Sequence, residues 1–284
     1  MDDLWYSEYH TENVRFSIRV NRQLHSEKSD YQQIAVYDSP DFGRFLTLDG
    51  VMMLTEKDEF IYHEMITHVP MAVNPDIRHI LVIGAGDGGV LRELSRYDGI
   101  EQIDLVEIDE RVIEVCKTYL PQTACGFENP KAHIHIGDGL KYIRRVENRY
   151  DLIIVDSTDP SGPGEVLFTK EFYGSCLTAL TANGIMVNQH ESPFYPGDAI
   201  AMQRTHKRIA QTFPLCRVYQ AHIPTYPSGH WLFGFASKGL HPLNDFRPER
   251  WNALGIPTRY YTTHLHKGAF YLPKYVEDML LDNE

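Results

Sequence analysis

The sequence is poor in cysteine, and its cysteines follow no metal-binding or redox pattern. Four are present in 284 residues, and no two of them form a CxxC pair or a zinc-like spacing. Unpaired thiols are typical of a reducing compartment, so we expect a cytoplasmic protein. The fourteen histidines are scattered along the chain, and we assign no metal site from them.

Positive charge is scarce as well. Lys and Arg number 27 against 39 Asp and Glu, which gives a formal net charge of −12 at pH 7. Surfaces that bind nucleic acid are basic, so this balance argues against a nucleic acid as partner. It is compatible with a cationic substrate, although an acidic surface also serves solubility.

Long apolar runs are absent too. No segment approaches the roughly 20 apolar residues of a membrane-spanning helix. The first ten residues, MDDLWYSEYH, have neither the basic nor the apolar region of a signal peptide. Hydrophobic residues still make up 43% of the chain, which is ordinary for a globular protein with a core. We therefore expect no membrane partner.

The N-terminal residues have the pattern of β structure. Apolar and polar residues alternate over 14–20, as in a half-buried strand. Asp49 and Gly50 lie between two apolar runs and predict a two-residue hairpin turn. We expect an N-terminal β-strand domain at residues 1–60, followed by a helix that ends before Asn74.

Strands and helices alternate from His79 onward, and we expect a nucleoside-binding catalytic domain at residues 61–284. The alternation predicts an α/β fold: a Rossmann-like, methyltransferase-type doubly wound sheet, preceded by the small β domain. The last two strands flank a long turn and predict an antiparallel pair at the sheet edge. The predicted strands are 79–84, 102–107, 133–137, 151–156, 184–189, 216–223 and 230–237, and the predicted helices are 88–97, 110–119, 139–147, 170–181 and 198–212.

A glycine-rich turn follows the first strand of this region. Gly84, Gly86 and Gly89 match the GxGxxG spacing of dinucleotide sites, which is a weak signal alone. The next strand ends in Glu107, and an acid at that position usually binds ribose hydroxyls. The sequence therefore indicates nucleoside binding and leaves the cofactor open.

Asp87 lies within the same turn, where a phosphate or carboxylate would otherwise bind. At about 4 Å and an effective dielectric constant near 20, two like charges repel by roughly 4 kcal/mol. The turn therefore disfavours pyrophosphate and the carboxylate of S-adenosylmethionine. It favours a bare amine.

Two carboxylates follow the buried strand 151–156. The strand ends in Asp156, Ser157, Thr158 and Asp159, and ligands of open α/β sheets bind beyond the carboxyl ends of the strands. Two acids in that place indicate a site for a positively charged group. A helix N-cap followed by a loop is the alternative interpretation.

Other candidates carry two interpretations each. Asp138 can accept a hydrogen bond from an adenine amino group or cap the next helix. Glu59 and His63 share a helix face, but a lone histidine there is usually structural, and a third metal ligand is missing. Tyr62 adjoins His63 on that helix. Tyr226 can contact a ligand or pack inside its own loop as a structural residue.

The ordered set of motifs resembles that of the spermidine synthases, or polyamine aminopropyltransferases. The resemblance covers nearly the whole chain, including the N-terminal β domain. Each motif alone is modest, whereas the ordered set is specific. The motifs are LDGVMMLTEKDEFIYHEM (48–65), HILVIGAGDGGVLREL (79–94), LVEID (105–109), GDG (137–139), DLIIVDSTDPSGPGEVLF (151–168), IPTYPSG (223–229) and KGAFYLP (267–273).

The resemblance implies transfer of an aminopropyl group from decarboxylated S-adenosylmethionine to a diamine, usually putrescine. The products are spermidine and 5′-methylthioadenosine. It implies no cofactor beyond this co-substrate, and a homodimer or homotetramer with contacts from the β domain. The alternatives are an acceptor such as agmatine, cadaverine or spermidine, an S-adenosylmethionine-dependent methyltransferase, and a polyamine-binding protein without catalysis.

The resemblance also implies roles for the matching residues. Asp156 is the proton acceptor, Asp87 binds the aminopropyl amine, and the loop after Pro160 closes as a lid. The nucleoside side comprises Gln32, Gly84, Gly86, Glu107, Asp138, Gly139 and Pro163. The amine side comprises Tyr62, His63, Asp87, Asp156, Ser157, Thr158, Asp159, Gln189 and Tyr226.

Two points qualify these roles. A carboxylate stabilises an ammonium, so Asp156 is not expected to act as a strong base unaided; it positions the amine and accepts the proton as the new bond forms. His190 and Glu191 follow Gln189 in a less usual pair, and Met52 and Met53 lie near the same end. These residues leave the length and identity of the acceptor open.

Overall fold

The computed structural model describes residues 4–158 and 162–281, and it begins with antiparallel strands. The hairpin of β1 (Leu4–Thr11) and β2 (Val14–Val20) forms one small sheet. The next strands pair in chain order into a four-stranded sheet. These are β3 (Arg22–Lys28), β4 (Gln33–Ser39), β5 (Gly43–Leu48) and β6 (Val51–Thr55).

The predicted hairpin turn between β5 and β6 is confirmed. Asp49 and Gly50 have φ angles of 51° and 78°, the left-handed conformation that a type I′ turn requires at both central residues. Leu48 pairs with Val51 directly across the turn. Residue 60, the predicted domain boundary, lies just inside the first helix, and the division of the chain into two domains stays a prediction.

The remaining strands form a seven-stranded sheet, and the predicted fold class is confirmed. The strands are β7 (His79–Gly84), β8 (Gln102–Glu107), β9 (Ala132–Ile136), β10 (Tyr150–Asp156), β11 (Leu180–Gln189), β12 (Leu215–His222) and β13 (His230–Ser237). Their order is β12-β13-β11-β10-β7-β8-β9. β7 to β11 pair in parallel, whereas β13 pairs antiparallel with both β11 and β12.

Helices cover both faces of this sheet. They are α1 (Glu59–Val73), α2 (Gly89–Leu94), α3 (Glu110–Tyr119), α4 (Pro121–Ala124), α5 (Gly139–Ile143), α6 (Lys170–Ala179), α7 (Pro196–Ala210), α8 (Pro248–Ala253), α9 (Thr263–Ala269) and α10 (Lys274–Leu281). Short 3-10 segments lie at Cys125–Glu128, Gly162–Phe168 and Pro227–Gly229. Among the residues described, no helix combines the length and apolarity needed to cross a membrane, and the cytoplasmic location stays a prediction.

The central strands are apolar on both faces because helices cover each side. On β7, Ile80 and Val82 belong to the core cluster that includes the apolar residues of α1. Leu81 and Ile83 face the opposite way, toward the cluster that includes α6. This double burial explains the continuous apolar runs that mark β7 and β10 in the sequence.

Three element ends differ from the predicted ones by three residues or more. β11 begins at Leu180 rather than at residue 184, because Tyr150 pairs with Leu180 before a register shift that brings Leu152 opposite Ile185. The helix predicted over 139–147 ends at Ile143, and the helix predicted over 88–97 ends at Leu94. None of these three differences moves the carboxyl end of a strand.

The strand order reverses between β10 and β7, since β8 and β9 follow on one side and β11 on the other. Ligands of open α/β sheets bind at such a reversal. Asp156 pairs with Gly84 there, and the Ala85 N–H donates to the Asp156 carbonyl at 2.9 Å. The glycine-rich turn and the acid after β10 therefore meet at one edge of the sheet.

Candidate active site

A cavity of about 360 Å³ opens at this edge. Every predicted site residue whose side chain is described lines it. Asp159 lies outside the described residues, and so does the side chain of Pro163. The lining residues from the prediction are Gln32, Tyr62, His63, Gly84, Gly86, Asp87, Glu107, Asp138, Gly139, Asp156, Ser157, Thr158, Gln189 and Tyr226.

The glycine-rich turn lies against β10 more closely than a side chain would allow. Gly84 has a φ of +86°, and a Cβ at this position would lie 2.0 Å from the Asp156 carbonyl oxygen. A Cβ on Gly86 would lie 3.0 Å from Oε2 of Glu107. The two glycines thus bring the turn against both neighbouring strand ends.

Glu107 and Gln32 lie on the side of the cavity predicted to hold the nucleoside. Burial raises the pKa of Glu107 to about 7, and its Oε1 accepts from the Asp109 N–H at 2.9 Å. Gln32 Nε2 donates to Asp109 Oδ2 at 3.0 Å, and the Ser29 hydroxyl donates to the same oxygen at 2.7 Å. Asp109, which the sequence did not single out, therefore joins Gln32 to the end of β8.

Asp138 caps α5. Its Oδ1 accepts from the Leu140 and Lys141 N–H groups at 2.9 and 3.1 Å. The capping interpretation is confirmed. Asp138 also lines the cavity, so the contact with adenine stays a prediction.

Asp156 has one engaged and one open carboxylate oxygen. The Tyr62 hydroxyl donates to Oδ1 at 2.5 Å, whereas Oδ2 is buried without a hydrogen-bond partner among the described residues. Burial and the nearby Asp87 carboxylate raise the pKa of Asp156 to about 7. Burial and Asp156 also raise the pKa of Tyr62 well above its ordinary value, so Tyr62 stays a donor.

His63 lies between two carboxylates. Its Nδ1 is 2.6 Å from Glu59 Oε2, and its Nε2 is 3.2 Å from Asp87 Oδ1. Burial alone would lower the pKa of His63, but Asp87 and Glu59 raise it to about 10. The Gly89 N–H donates to Asp87 Oδ1 at 2.7 Å. Together with His63 it lowers the pKa of Asp87 despite burial.

Asp87 and Asp156 lie close together beside His63. One polar atom from each of the three residues lies within 4.8 Å of the others. Because the His63 nitrogens already lie against Glu59 and Asp87, the two carboxylates are the groups of this set that can attract an ammonium.

Tyr226 and Gln189 line the side predicted to hold the acceptor. The Tyr226 hydroxyl donates to the Met53 carbonyl at 2.5 Å, and its ring centroid lies 6.0 Å from that of Tyr62. Gln189 Nε2 donates to Glu191 Oε1 at 2.9 Å, and the Glu191 N–H donates to Gln189 Oε1 at 3.1 Å. Both side chains are thus fixed by polar contacts at the cavity wall.

The sequence did not single out several further acids of the cavity wall. Glu8, on β1, accepts a hydrogen bond from the Met52 N–H at 2.7 Å. Through this residue the N-terminal hairpin forms part of the cavity wall. Asp198, from the first turn of α7, lines it too. A lone acid in a strand or a helix turn has no local signal, so only the tertiary structure assigns these residues to the site.

Two family models match the chain. The spermine/spermidine synthase domain matches residues 59–248, and the spermidine synthase tetramerisation domain matches residues 4–56. The chain belongs to the spermine/spermidine synthase family. The predicted family is confirmed, and with it the prediction of an enzyme, an aminopropyltransferase.

Relatives resemble the chain over nearly its whole length. The polyamine aminopropyltransferase of Alkaliphilus oremlandii is 64% identical over 282 residues, 99% of each chain. That of Clostridium perfringens strain SM101 is 65% identical over 278 residues, 98% of each chain.

Solved structures agree with this result. A spermidine synthase in complex with the transition-state analogue AdoDATO has a TM-score of 0.95 and 45% identity, covering 98% of this chain and 94% of that one. The Thermotoga maritima spermidine synthase has a TM-score of 0.94 and 44% identity, covering 99% and 95%.

Proposed function

We propose that the enzyme transfers the aminopropyl group of decarboxylated S-adenosylmethionine to putrescine, giving spermidine and 5′-methylthioadenosine. One observation carries the proposal: Asp87, in the turn after β7, and Asp156, at the end of the neighbouring strand β10, line one cavity. Oδ2 of Asp156 has no hydrogen-bond partner among the described residues. An amine at each carboxylate would place donor and acceptor side by side.

On the donor side, Glu107 accepts hydrogen bonds from the ribose hydroxyls, and Gln32 and Asp138 contact the rest of the nucleoside. Asp87 binds the ammonium of the aminopropyl chain. S-adenosylmethionine carries a carboxylate on the carbon that bears this amine, and Asp87 would repel that carboxylate. This repulsion selects the decarboxylated donor.

On the acceptor side, Asp156 holds the attacking amine through Oδ2 while Tyr62 fixes Oδ1. The amine nitrogen attacks the carbon next to the sulfonium, the carbon–sulfur bond breaks, and the sulfur keeps the bonding electron pair as a neutral thioether. The nitrogen loses one proton, which Asp156 accepts. Alignment of nitrogen, carbon and sulfur supplies most of the rate.

The acids Glu8, Glu191 and Asp198 support a diamine as acceptor. They line the same cavity as Asp156, so an acceptor held by Asp156 at one end can meet a carboxylate at the other. Putrescine has an amine at each end and no further charge, which makes it the simplest acceptor that this charge pattern fits.

Competition between acceptors tests the proposal. Purified enzyme is incubated with decarboxylated S-adenosylmethionine and equimolar putrescine, cadaverine, agmatine and spermidine, and the products are identified by mass spectrometry. We expect 5′-methylthioadenosine and spermidine as the dominant products. A dominant product from another amine would replace putrescine as the acceptor, and no aminopropylated amine at all would refute the transfer.

We also propose that the chain forms a homotetramer through its N-terminal β domain. The family model for residues 4–56 supports this by its description as a tetramerisation domain. Leu4 and Trp5 of β1 are 52% and 54% exposed, and exposed apolar patches favour protein contacts. Light scattering after size exclusion should give the mass of four chains; two chains would indicate the homodimer instead, and a single chain would contradict assembly.

A further inference from the structure

His63 has a carboxylate at each ring nitrogen. Nδ1 lies 2.6 Å from Glu59 Oε2 and Nε2 lies 3.2 Å from Asp87 Oδ1. A neutral imidazole has one N–H and can donate to one carboxylate only, whereas an imidazolium donates to both. The geometry therefore fits a doubly protonated ring whose donors are both in use.

Arg92 holds Glu59 in place. Its Nη1 and Nη2 donate to the two carboxylate oxygens of Glu59 at 2.9 and 2.8 Å, the bidentate pairing that fixes a carboxylate most firmly. Arg92 Nε also donates to Glu93 Oε1 at 3.0 Å. A row of alternating charges thus runs from Arg92 through Glu59 and His63 to Asp87.

The backbone around His63 leaves room for this ring and little else. A Cβ on Gly89 would lie 2.2 Å from Cε1 of His63, so the start of α2 contacts the ring directly. The Gly89 N–H donates to Asp87 at the same time. Gly89, the last glycine of the GxGxxG spacing, therefore leaves space for the His63 ring and fixes the Asp87 carboxylate beside it.

Among the described residues, the ring nitrogens of His63 have no polar contacts other than those with Glu59 and Asp87. The Tyr62 ring meets the His63 ring edge to face with centroids 5.6 Å apart. Asp156 offers an oxygen within 4.8 Å, and that carboxylate accepts from Tyr62.

We propose that Glu59 and Arg92 are positioning residues that keep His63 doubly protonated, and that His63 in turn orients the Asp87 carboxylate. The inference rests on the proposed function in one respect, since Asp87 is taken as the ligand of the donor's amine. Glu59 lines the cavity, but its carboxylate oxygens are engaged by Arg92 and His63, so both residues act through His63.

The protonation of His63 is tested first, without any substrate. Nitrogen NMR of ¹⁵N-histidine-labelled enzyme at pH 8 should show both ring nitrogens of His63 protonated, with the resonance assigned by its loss in His63→Gln. In Glu59→Gln one nitrogen should lose its proton at the same pH. A neutral His63 ring in the wild-type enzyme would overturn the proposal, whatever the reaction.

Steady-state kinetics then test whether Glu59 acts through His63. Glu59→Gln should raise the KM for decarboxylated S-adenosylmethionine about tenfold, the effect of losing one charged hydrogen bond, while kcat changes by less than about threefold. In the His63→Gln background, Glu59→Gln should add nothing. An equal effect of Glu59→Gln with and without His63 would overturn the proposal.

Arg92→Lys gives a second route to the same result, because lysine cannot pair with both oxygens of Glu59. It should raise the same KM severalfold. Arg96→Lys is the matched control, since Arg96 donates to Glu93 and to the Pro257 carbonyl and should leave this KM unchanged. A wild-type enzyme that forms no 5′-methylthioadenosine would refute the proposed function while leaving the NMR result to decide the charge of His63.

Discussion

Tyr62 and Asp156 are joined by a hydrogen bond of 2.5 Å across residues 94 positions apart in the chain. Tyr62 comes from the buried helix α1, and Asp156 ends the central strand β10. The bond turns one carboxylate oxygen toward Tyr62 and leaves the other facing the cavity. The candidate acceptor of the proton is thus held by a rigid helix rather than by a loop.

Asp156→Asn should abolish most of the turnover. The amide keeps the shape of the side chain and can still accept from Tyr62, but it cannot accept the amine's proton. We expect kcat to fall by about 10³-fold, with the affinity for 5′-methylthioadenosine changed by less than about threefold. Initial rates and calorimetric titration measure the two effects, and a large loss of nucleoside affinity would make Asp156 a structural residue.

The same substitution should stabilise the free enzyme at alkaline pH. The pKa of Asp156 is raised to about 7, above its unfolded value, so the folded state holds this proton more tightly. The contribution of this proton to the free energy of unfolding is fully present below the unfolded pKa of about 4. It is lost progressively as the pH rises from there through about 7. Asp156→Asn should therefore raise the free energy of unfolding by about 1 kcal/mol at pH 8.

At pH 3, below the unfolded pKa of about 4, the carboxyl is protonated in both the folded and the unfolded state, and the gain should shrink toward zero. Thermal unfolding of both proteins at the two pH values measures the difference. An equal gain in the free energy of unfolding at both pH values would show that folding does not raise the pKa of the Asp156 carboxyl.

Tyr62→Phe should shift the acid limb of the pH–rate profile upward. The hydrogen bond from Tyr62 favours the ionised form of Asp156, so its loss raises the pKa of the carboxyl and delays ionisation. Activity that requires ionised Asp156 then falls off at a higher pH than in the wild type. Tyr142→Phe is the control, because the Tyr142 hydroxyl lies 3.1 Å from that of Tyr150; an unmoved acid limb in Tyr62→Phe would contradict the prediction.

Glu107→Gln should weaken 5′-methylthioadenosine binding by about 10- to 100-fold, the cost of losing hydrogen bonds to a charged acceptor. Since burial raises the pKa of Glu107 to about 7, wild-type affinity should fall as the pH drops below that value. The Asp156→Asn enzyme should keep this pH dependence, which separates the two carboxyls. Affinity independent of pH between 5 and 8 would remove Glu107 from the nucleoside site.

Gly84→Ala should prevent normal folding or cost about 3 kcal/mol or more. The new Cβ would lie 2.0 Å from the Asp156 carbonyl oxygen at a φ of +86°, and neither backbone can move without breaking the pairing of β7 and β10. Gly174→Ala is the matched control. Its Cβ meets no atom within 4 Å, and alanine in a helix should raise the free energy of unfolding by about 0.5–1 kcal/mol.

Local patterns predict the frame of the site well. The apolar runs of β7 and β10, the turn at Gly84 and the acids Glu107 and Asp156 follow from strand periodicity and from the rule that ligands bind beyond the strand ends. These features depend on neighbouring residues, so a single sequence contains them.

Contacts between distant segments are not predictable in the same way. Glu59 and His63 share a helix face in the sequence, but the bond from Arg92 to Glu59 spans 33 positions. Glu8 reaches the cavity only because the N-terminal hairpin folds back to Met52. Such pairs depend on how whole elements pack, and no periodicity or turn signal specifies that packing.

Donor selection tests the central claim most directly. Purified wild-type enzyme is given putrescine with either decarboxylated S-adenosylmethionine or S-adenosylmethionine, and 5′-methylthioadenosine, spermidine and methylated amines are quantified in each tube. We predict equal amounts of 5′-methylthioadenosine and spermidine from the decarboxylated donor and neither from the other. Methylated putrescine from S-adenosylmethionine, or no product from the decarboxylated donor, would contradict an aminopropyl transfer selected by Asp87.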